Sequence, residues 1–379
     1  MIENQPSRRL LVTGFRPGPG GVGRVMQNLI EGFARAGVEV HVLVDAGDYP
    51  ALEQLPHGVV LHREPNKKSS AAAVTGVRTL LEELYRPVVL CNRDDASSLI
   101  IAARQGLMPA PRVLLRIGIH VPTKLRSKNP VARWRSRRQL MRTYRAADLL
   151  IANSRGVAQG LHDLLGPTAP PIKVLLNPLD LNRCRSLAHA EPDHPWFRER
   201  RGRLLVMVGR LARMKDQSTM LRALALLPPD VRLVIFGDGR QRRRLAVLAE
   251  RLGVAQRIDL PGFTNNPFAH VSRADAFVLS SRFEGSPNAL LEALAVGTPA
   301  IATDCPSGPR EILDHGRYGR LVPIGDPRAL ADAILETLVN PPDAALFDEA
   351  AQRYRLDHAV QSYLQILGMS EHAAQAAGS

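Results

Sequence analysis

Four charged residues in the second half of the chain have the types and spacing to hold a phosphorylated sugar. Glu284 and Glu292 stand eight apart in the stretch FVLSSRFEGSPNALLEALAVGTPAIATDCPSGPREIL, residues 277–313. A carboxylate accepts from two hydroxyls at once, which is how sugars are held. Arg210 and Lys215 follow a second apolar run, Leu204 to Val208. Arg can fork onto phosphate oxygens and Lys adds a compact charge, a pair suited to a diphosphate. The plainer alternative is that all four are solvated surface charges.

These residues need elements to position them. Phe277 to Leu279 reads as a buried parallel strand, Ser280 to Gly285 as the loop after it, and Thr298 to Ala302 as the next strand. Between them the sequence predicts a helix capped by Ser286, starting at Pro287 and closed by Gly297. Ligands of open α/β sheets bind at the carboxyl edge of the strands. The first amides of a helix there favour an anion. Pro287 has no N–H, so Asn288, Ala289 and Leu290 are the candidate donors.

The first half repeats the alternation of strand and helix. Arg9 to Gly14 is a strand, Phe15 to Gly23 a glycine-rich loop, Arg24 to Ala36 a helix, and Val38 to Val44 a strand ending at Asp45. Gly18, Gly20 and Gly23 satisfy G-x-G-x-x-G, and Asp45 lies where a dinucleotide fold puts its ribose acid, so an NAD-dependent oxidoreductase is a rival reading. The long approach from the strand to Gly18 weighs against it. Further strands are Pro87 to Cys91, Arg112 to Ile117 and Ala147 to Asn153. Asp94 and Asp95 are placed to cap a helix from about Ala96 to Arg104. His120 falls just past a strand's carboxyl edge, where it can line a site or serve as an ordinary loop residue.

Length and composition bound the rest. A chain of 379 residues with 45% apolar content is globular and suits two domains. No run of eighteen apolar residues is present, and residues 1–10 lack the apolar centre of a signal peptide. Cys91, Cys184 and Cys305 lie too far apart for a zinc site or a disulfide framework, which points to the cytosol. No metal site is expected.

The net charge of +14 is uneven: residues 1–180 carry 25 Lys and Arg against 14 Asp and Glu, the remainder 25 against 22. Lys124 to Arg145 holds nine positive residues and no acid. Within a helix expected from Asn129-Pro130, Arg135, Arg138, Arg142 and Arg145 form one stripe, with Trp134, Leu140, Met141 and Tyr144 beside it. A solvated basic face and a helix lying on an anionic membrane surface are equal readings. Nucleic acid is the weaker candidate, since aromatics make up 4% of the chain and no recognition motif appears.

Glu284-x7-Glu292, followed by CPSGPREIL (Cys305 to Leu313) and G-x-L-V-P (Gly319 to Pro323), resembles the signature of glycosyltransferase family 4. The G-R-x4-K of Gly209 to Lys215, the G-x-G of Gly237 to Gly239, and the N-P-x-D of Asn177 to Asp180 agree with it. The resemblance implies an α/β GT-B fold, two Rossmann-like doubly wound domains facing each other across a cleft. It implies a retaining enzyme that moves a hexose or N-acetylhexosamine from a nucleotide sugar, with a UDP-sugar favoured, and that requires no other cofactor. Arg210 and Lys215 would stabilise the leaving diphosphate. Glu284 would orient the sugar hydroxyls and Glu292 the ribose. Gly262 and Phe263 would lie at the base, Gly20 and Gly21 at acceptor or donor phosphate, and His120 at the transferred sugar. The expected division is 1–180 for the acceptor, a linker at 181–202, 203–342 for the donor, a helix in 343–368 packing back on the first domain, and a disordered tail at 369–379.

The acceptor expected from this and from the basic first half is a lipid-linked sugar or cell-surface glycan, met at the inner face of the membrane. Two other classes stay open. A nucleotide-sugar epimerase of the same fold would need acid and base groups, for which His120 is the one obvious candidate. A non-enzymatic basic binding protein would explain Lys124 to Arg145 but leave Arg210, Lys215, Glu284 and Glu292 without a role.

Overall fold

The computed structural model describes residues 9–370 apart from 17, 19, 46, 48, 50–54, 57, 65–69 and 200. It divides into two compact units, residues 1–178 with 356–379 and residues 179–355.

Unit 1 is built on the parallel strands β1 (Arg9–Thr13), β2 (Glu39–Val44), β3 (Val59–Arg63), β4 (Val88–Cys91), β5 (Arg112–Ile117), β6 (Leu149–Ala152) and β7 (Ile172–Val174), in the order β3-β2-β1-β4-β5-β6-β7. Alternate strand residues feed opposite layers, as the two-residue period requires. Leu10 and Val12 pack with Met26 and Phe33 of α1 (Gly21–Arg35), while Leu11 packs on the other side with Val77 of α2 (Ser70–Glu83). That second layer continues through α3 (Asp94–Arg104), α4 (Val121–Arg126), α5 (Pro130–Arg145) and α6 (Arg155–Leu165).

Unit 2 starts with α7 (Leu181–Ala188) and α8 (Pro195–Arg198). Its strands are β8 (Arg203–Val208), β9 (Val231–Phe236), β10 (Ile258–Gly262), β11 (Ala276–Leu279), β12 (Ala300–Thr303) and β13 (Arg320–Val322), parallel in the order β10-β9-β8-β11-β12-β13. The helices α9 (Gln217–Leu224), α10 (Arg242–Arg251), α11 (Pro267–Val271), α12 (Asn288–Ala295), α13 (Pro309–Ile312), α14 (Pro327–Val339) and α15 (Ala344–Gln352) complete it.

The structure departs from the sequence expectations at several points. The stretch read as a linker over 181–202 holds α7 and α8 and lies in unit 2. The single helix expected over 344–367 is two helices. The chain leaves helix near Arg353, where the Leu179 N–H donates to the Tyr354 carbonyl at 2.7 Å, and resumes as α16 (Leu356–Leu367) in unit 1. There Phe33 and Tyr363 meet edge to face at 6.0 Å. Met369, expected to begin a disordered tail, is buried in the α1–α16 layer; 371–379 lie outside the described residues. Both β3, a short edge strand of sequence VVLHR, and α2 went unread. The first helix begins at Gly21, so Gly21 and Gly23 are helical. A Cβ at Gly23 would stand 2.5 Å from the Gly18 carbonyl oxygen, which is why the loop can fold back on the helix.

Candidate active site

In unit 2 the carboxyl edge is closed by hydrogen bonds that run from loop to loop. Gly209 N–H donates to Phe236 O at 2.9 Å, Leu211 N–H to Asp238 O at 3.0 Å, and Gly237 N–H to Gly262 O at 2.6 Å. Gly237 takes φ +135°, and a Cβ on it would lie 2.1 Å from the Gly209 carbonyl oxygen. Only glycine lets these two loops close to this distance.

On the other side of β8, the loop after β11 is fastened to the turn that carries Lys215. The Ser280 hydroxyl donates to the carbonyls of Lys215 and Asp216, both at 3.0 Å, and the Arg282 N–H to Met214 O at 2.8 Å. Asp216 sits in the left-handed region at φ 45°, a conformation Asp tolerates better than most residues, and its carboxylate is held by Arg282 and the Thr219 hydroxyl, each at 2.9 Å. These contacts bring together residues 69 apart in sequence. Lys215 Nζ meets Glu284 Oε1 at 2.6 Å, and the Ser281 hydroxyl donates to the same oxygen at 2.6 Å. Glu284 is 6% exposed. Both bonds use Oε1, and Oε2 has no partner among the described residues. Arg210 is exposed, and its guanidinium makes no hydrogen bond or ion pair among the described residues. Burial, with the Glu284 charge nearby, pushes the Cys305 thiol up to about 12, so it stays protonated.

The helix beside this pair differs from expectation. Pro287 is its N-cap in extended conformation, with no side-chain cap, and the helix begins at Asn288. The Pro287 carbonyl receives the N–H groups of Leu290 at 3.1 Å and Leu291 at 3.4 Å. Leu290 is therefore not an outward donor, and it is fully buried. Asn288 and Ala289 remain at the helix start. Glu292 lies on α12 and is 7% exposed. Gly262 ends β10, and the Phe263 ring after it is 55% exposed.

The carboxyl edge of unit 1 carries Gly20, the N-cap of α1, with Gly21 beginning the helix. His120 is half-buried at the start of α4, with Nδ1 2.8 Å from the Thr123 hydroxyl; burial lowers its pKa and favours the neutral ring. Arg93 is the N-cap of α3, and Asp94 and Asp95 lie in its first turn, where Asp95 Oδ1 accepts the Ala96 N–H at 3.0 Å; Asp94 pairs with Lys124 at 2.8 Å and accepts from the Tyr144 hydroxyl at 2.7 Å. Asp45 accepts from the Tyr49 hydroxyl and Gly47 N–H and faces Arg16 at 3.5 Å. Burial would raise its pKa, but these donors offset that and hold it below the usual carboxylate value. With its oxygens so occupied, the ribose-binding role of the oxidoreductase reading loses its acid.

On α5, Asn129 caps the Ala132 N–H, and Arg135, Arg138, Arg142 and Arg145 are exposed as the spacing predicts. Leu140 and Tyr144 face the core instead of solvent. Sequence reasoning missed Ser281 and Ser280, whose only signal is a pair of hydroxyls directly after a strand. It also missed Arg116, a charge inside the apolar run VLLRI that should have stood out.

Two family models match the chain: "Glycosyl transferases group 1" over 194–354 and "Glycosyltransferase Family 4" over 19–183. An N-acetylgalactosaminyltransferase of Campylobacter jejuni, acting on a diphospho-undecaprenol-linked sugar, is 30% identical over 187 residues, 49% of this chain and 50% of that protein. The lipopolysaccharide core glycosyltransferase LpsE of Rhizobium meliloti is 30% identical over 232 residues, covering 59% of this chain and 65% of its own. The chain spans about half the length of the curated relatives it matches. Among solved structures, HepE of Anabaena in complex with UDP superposes with a TM-score of 0.77 at 20% identity, covering 95% of this chain and 99% of its own. At that identity the likeness establishes the fold.

Proposed function

As the chain belongs to glycosyltransferase family 4 and has the GT-B fold, we propose that it transfers a hexose or N-acetylhexosamine from a UDP-sugar to a lipid-linked or cell-surface glycan, with retention at the anomeric carbon. The observation that carries this reading is the Lys215–Glu284 pair at 2.6 Å, with Glu284 Oε2 unbonded among the described residues and Arg210 exposed after β8. An ammonium has three protons, so Lys215 can keep Glu284 and still donate to a phosphate. Arg210 adds a second cation for the diphosphate. Glu284 Oε2 is placed to accept from a sugar hydroxyl, and Glu292 to accept from the ribose. Asn288 and Ala289 at the start of α12 add the helix's positive end for the phosphate. Phe263 offers an exposed ring to the base, beside Gly262.

In the reaction, the bond from sugar C1 to the diphosphate oxygen breaks. The acceptor oxygen bonds to C1 from the same face, and the acceptor's proton passes to the departing phosphate. Arg210 and Lys215 stabilise the charge that grows on the diphosphate, the main catalytic contribution. In unit 1, His120 offers a neutral ring at the carboxyl edge, and Gly20 and Gly21 allow a phosphate close to the backbone. The acceptor meets the enzyme at an anionic membrane surface, which α5 supports. Trp134 is 60% exposed there, with the Arg138 guanidinium 5.7 Å from its ring centre. No helix among the described residues is long and apolar enough to cross a membrane.

Calorimetry with UDP tests the donor assignment. Arg210→Ala should weaken binding by about 1.5–3 kcal/mol, the range for a hydrogen bond to a charged group. If Arg210→Ala and Lys215→Met both bind UDP as the wild type does, the nucleotide does not sit there.

A further inference from the structure

The reaction above leaves one buried charge unused. Arg116 is the fifth of six residues in β5 and is 3% exposed. A cation so deep ordinarily faces an acid, because desolvating it alone is unfavourable. Here every bond goes to a neutral acceptor. Nε donates to the Tyr363 hydroxyl on α16 at 3.0 Å, Nη1 to Asn92 Oδ1 at 2.6 Å, and Nη2 to Asn177 Oδ1. Burial raises the Tyr363 pKa, so that phenol brings no negative charge. A guanidinium has five N–H groups; among the described residues three are used, and no carboxylate pairs with this one.

Two further observations point to a ligand. Asn153, directly after β6, is 3% exposed, and its Oδ1 is buried with no hydrogen-bond partner among the described residues. Such an oxygen is costly unless something donates to it. Gly118, directly after β5, is exposed. A Cβ built on it would stand 3.4 Å from Arg116 Nη1 and 3.7 Å from Asn153 Nδ2. The missing side chain thus leaves a gap at an exposed backbone position, beside a guanidinium and an amide together.

We propose that this gap is a phosphate-binding subsite, in which Arg116 and Asn153 hold a phosphate group of the glycosyl acceptor. The phosphate supplies the negative charge that Arg116 lacks, and a protonated phosphate oxygen or neighbouring sugar hydroxyl donates to Asn153 Oδ1. The assignment to the acceptor rests on the reading that unit 1 binds it.

The experiment titrates methyl phosphate, inorganic phosphate and sulfate into the full chain saturated with UDP, so that the diphosphate site is already filled. The readouts are the unfolding temperature and the side-chain Nε resonance of Arg116. Methyl phosphate should raise the unfolding temperature, shift that resonance, and bind more tightly than the other two. Gly118→Val fills the gap without removing any Arg116 hydrogen bond. It should fold as the wild type does and lose at least tenfold in methyl phosphate affinity. Arg116→Gln should lose as much.

Equal protection of wild type and Gly118→Val, or none of either, would make Arg116 a structural clasp for α16 and overturn the proposal. A preference for inorganic phosphate would overturn its assignment to the acceptor. If UDP itself fails to bind, the donor reading falls, and the same titration without UDP still decides the subsite.

Discussion

The two sheet edges use charge in opposite ways. In unit 2 a half-buried cation and a buried anion are joined directly, Lys215 to Glu284, each supplied by a loop past a strand. In unit 1 a buried cation sits inside a strand and is wired to neutral groups from three distant segments: Asn92, Asn177 and Tyr363. The first arrangement is electrically complete and offers spare hydrogen-bonding capacity for a ligand. The second is complete in geometry but not in charge. A site that has only to hold and release a diphosphate can rest on a paired cation. A buried lone cation asks for an anion from outside.

The largest effect that would test this contrast is on turnover. Glu284→Gln keeps the shape and the contact with Lys215 but removes the charge. The reaction should slow by about 10²–10³-fold, the scale for losing one electrostatic group at a reacting centre. UDP affinity should change little, because the residue is assigned to the sugar. Wild-type turnover in this variant would remove Glu284 from the chemistry.

A smaller effect separates the two edges by stability. Lys215→Met leaves Glu284 buried without its counter-ion, which costs about 3 kcal/mol or more. Arg116→Gln takes away the lone charge itself and leaves only lost hydrogen bonds, at about 1–3 kcal/mol. The less buried residue should therefore be the more damaging to replace. Urea unfolding of the two variants, compared by midpoint at unchanged slope, measures the order directly; the reverse order would mean that Arg116 has a charge partner after all.

The same contrast explains what was legible in the sequence. Arg210, Lys215, Glu284 and Glu292 lie in short motifs after apolar strands, so type, spacing and element edge could be read together. The pairing of Lys215 with Glu284 could not, because it depends on Ser280 bonding the carbonyls of Lys215 and Asp216 across 64 and more residues. The Arg116 cluster draws on residues 24, 61 and 247 positions away, and no local pattern encodes that. The start of α12 was misplaced by one residue because a proline's fixed φ suits both the cap and the first turn, and only its ψ of 104° decides. The β3 strand went unread because its apolar residues form one short run, Val59 to Leu61, without the alternation of a half-buried strand.

The smallest effect concerns the surface, where the halves also differ. Most of the chain's excess positive charge belongs to residues 1–180, and nine of those cations fall between Lys124 and Arg145. In the fold, Leu140 and Tyr144 anchor α5 to the core, so its apolar side is not available to insert into lipid. What remain outward are Val131 and Trp134, 63% and 60% exposed, with Trp134 beside a groove of about 370 Å³ lined by Arg135, Arg138 and Arg142. Attachment through this face would be mainly electrostatic, with one aromatic ring at the interface. Each basic residue near an anionic surface contributes about 1 kcal/mol. Changing Arg135, Arg138 and Arg142 together to Gln should therefore weaken binding to anionic vesicles by about 3 kcal/mol, more than 100-fold. Wild-type binding should fall as salt shortens the screening length from about 10 Å at 0.1 M, and neutral vesicles should bind little at either salt. Sedimentation with both vesicle types at low and high salt measures all three. Equal binding to neutral and anionic vesicles would rule out the electrostatic mode. Undiminished binding of the triple variant would move the contact off α5 and leave its basic stripe a solvated face.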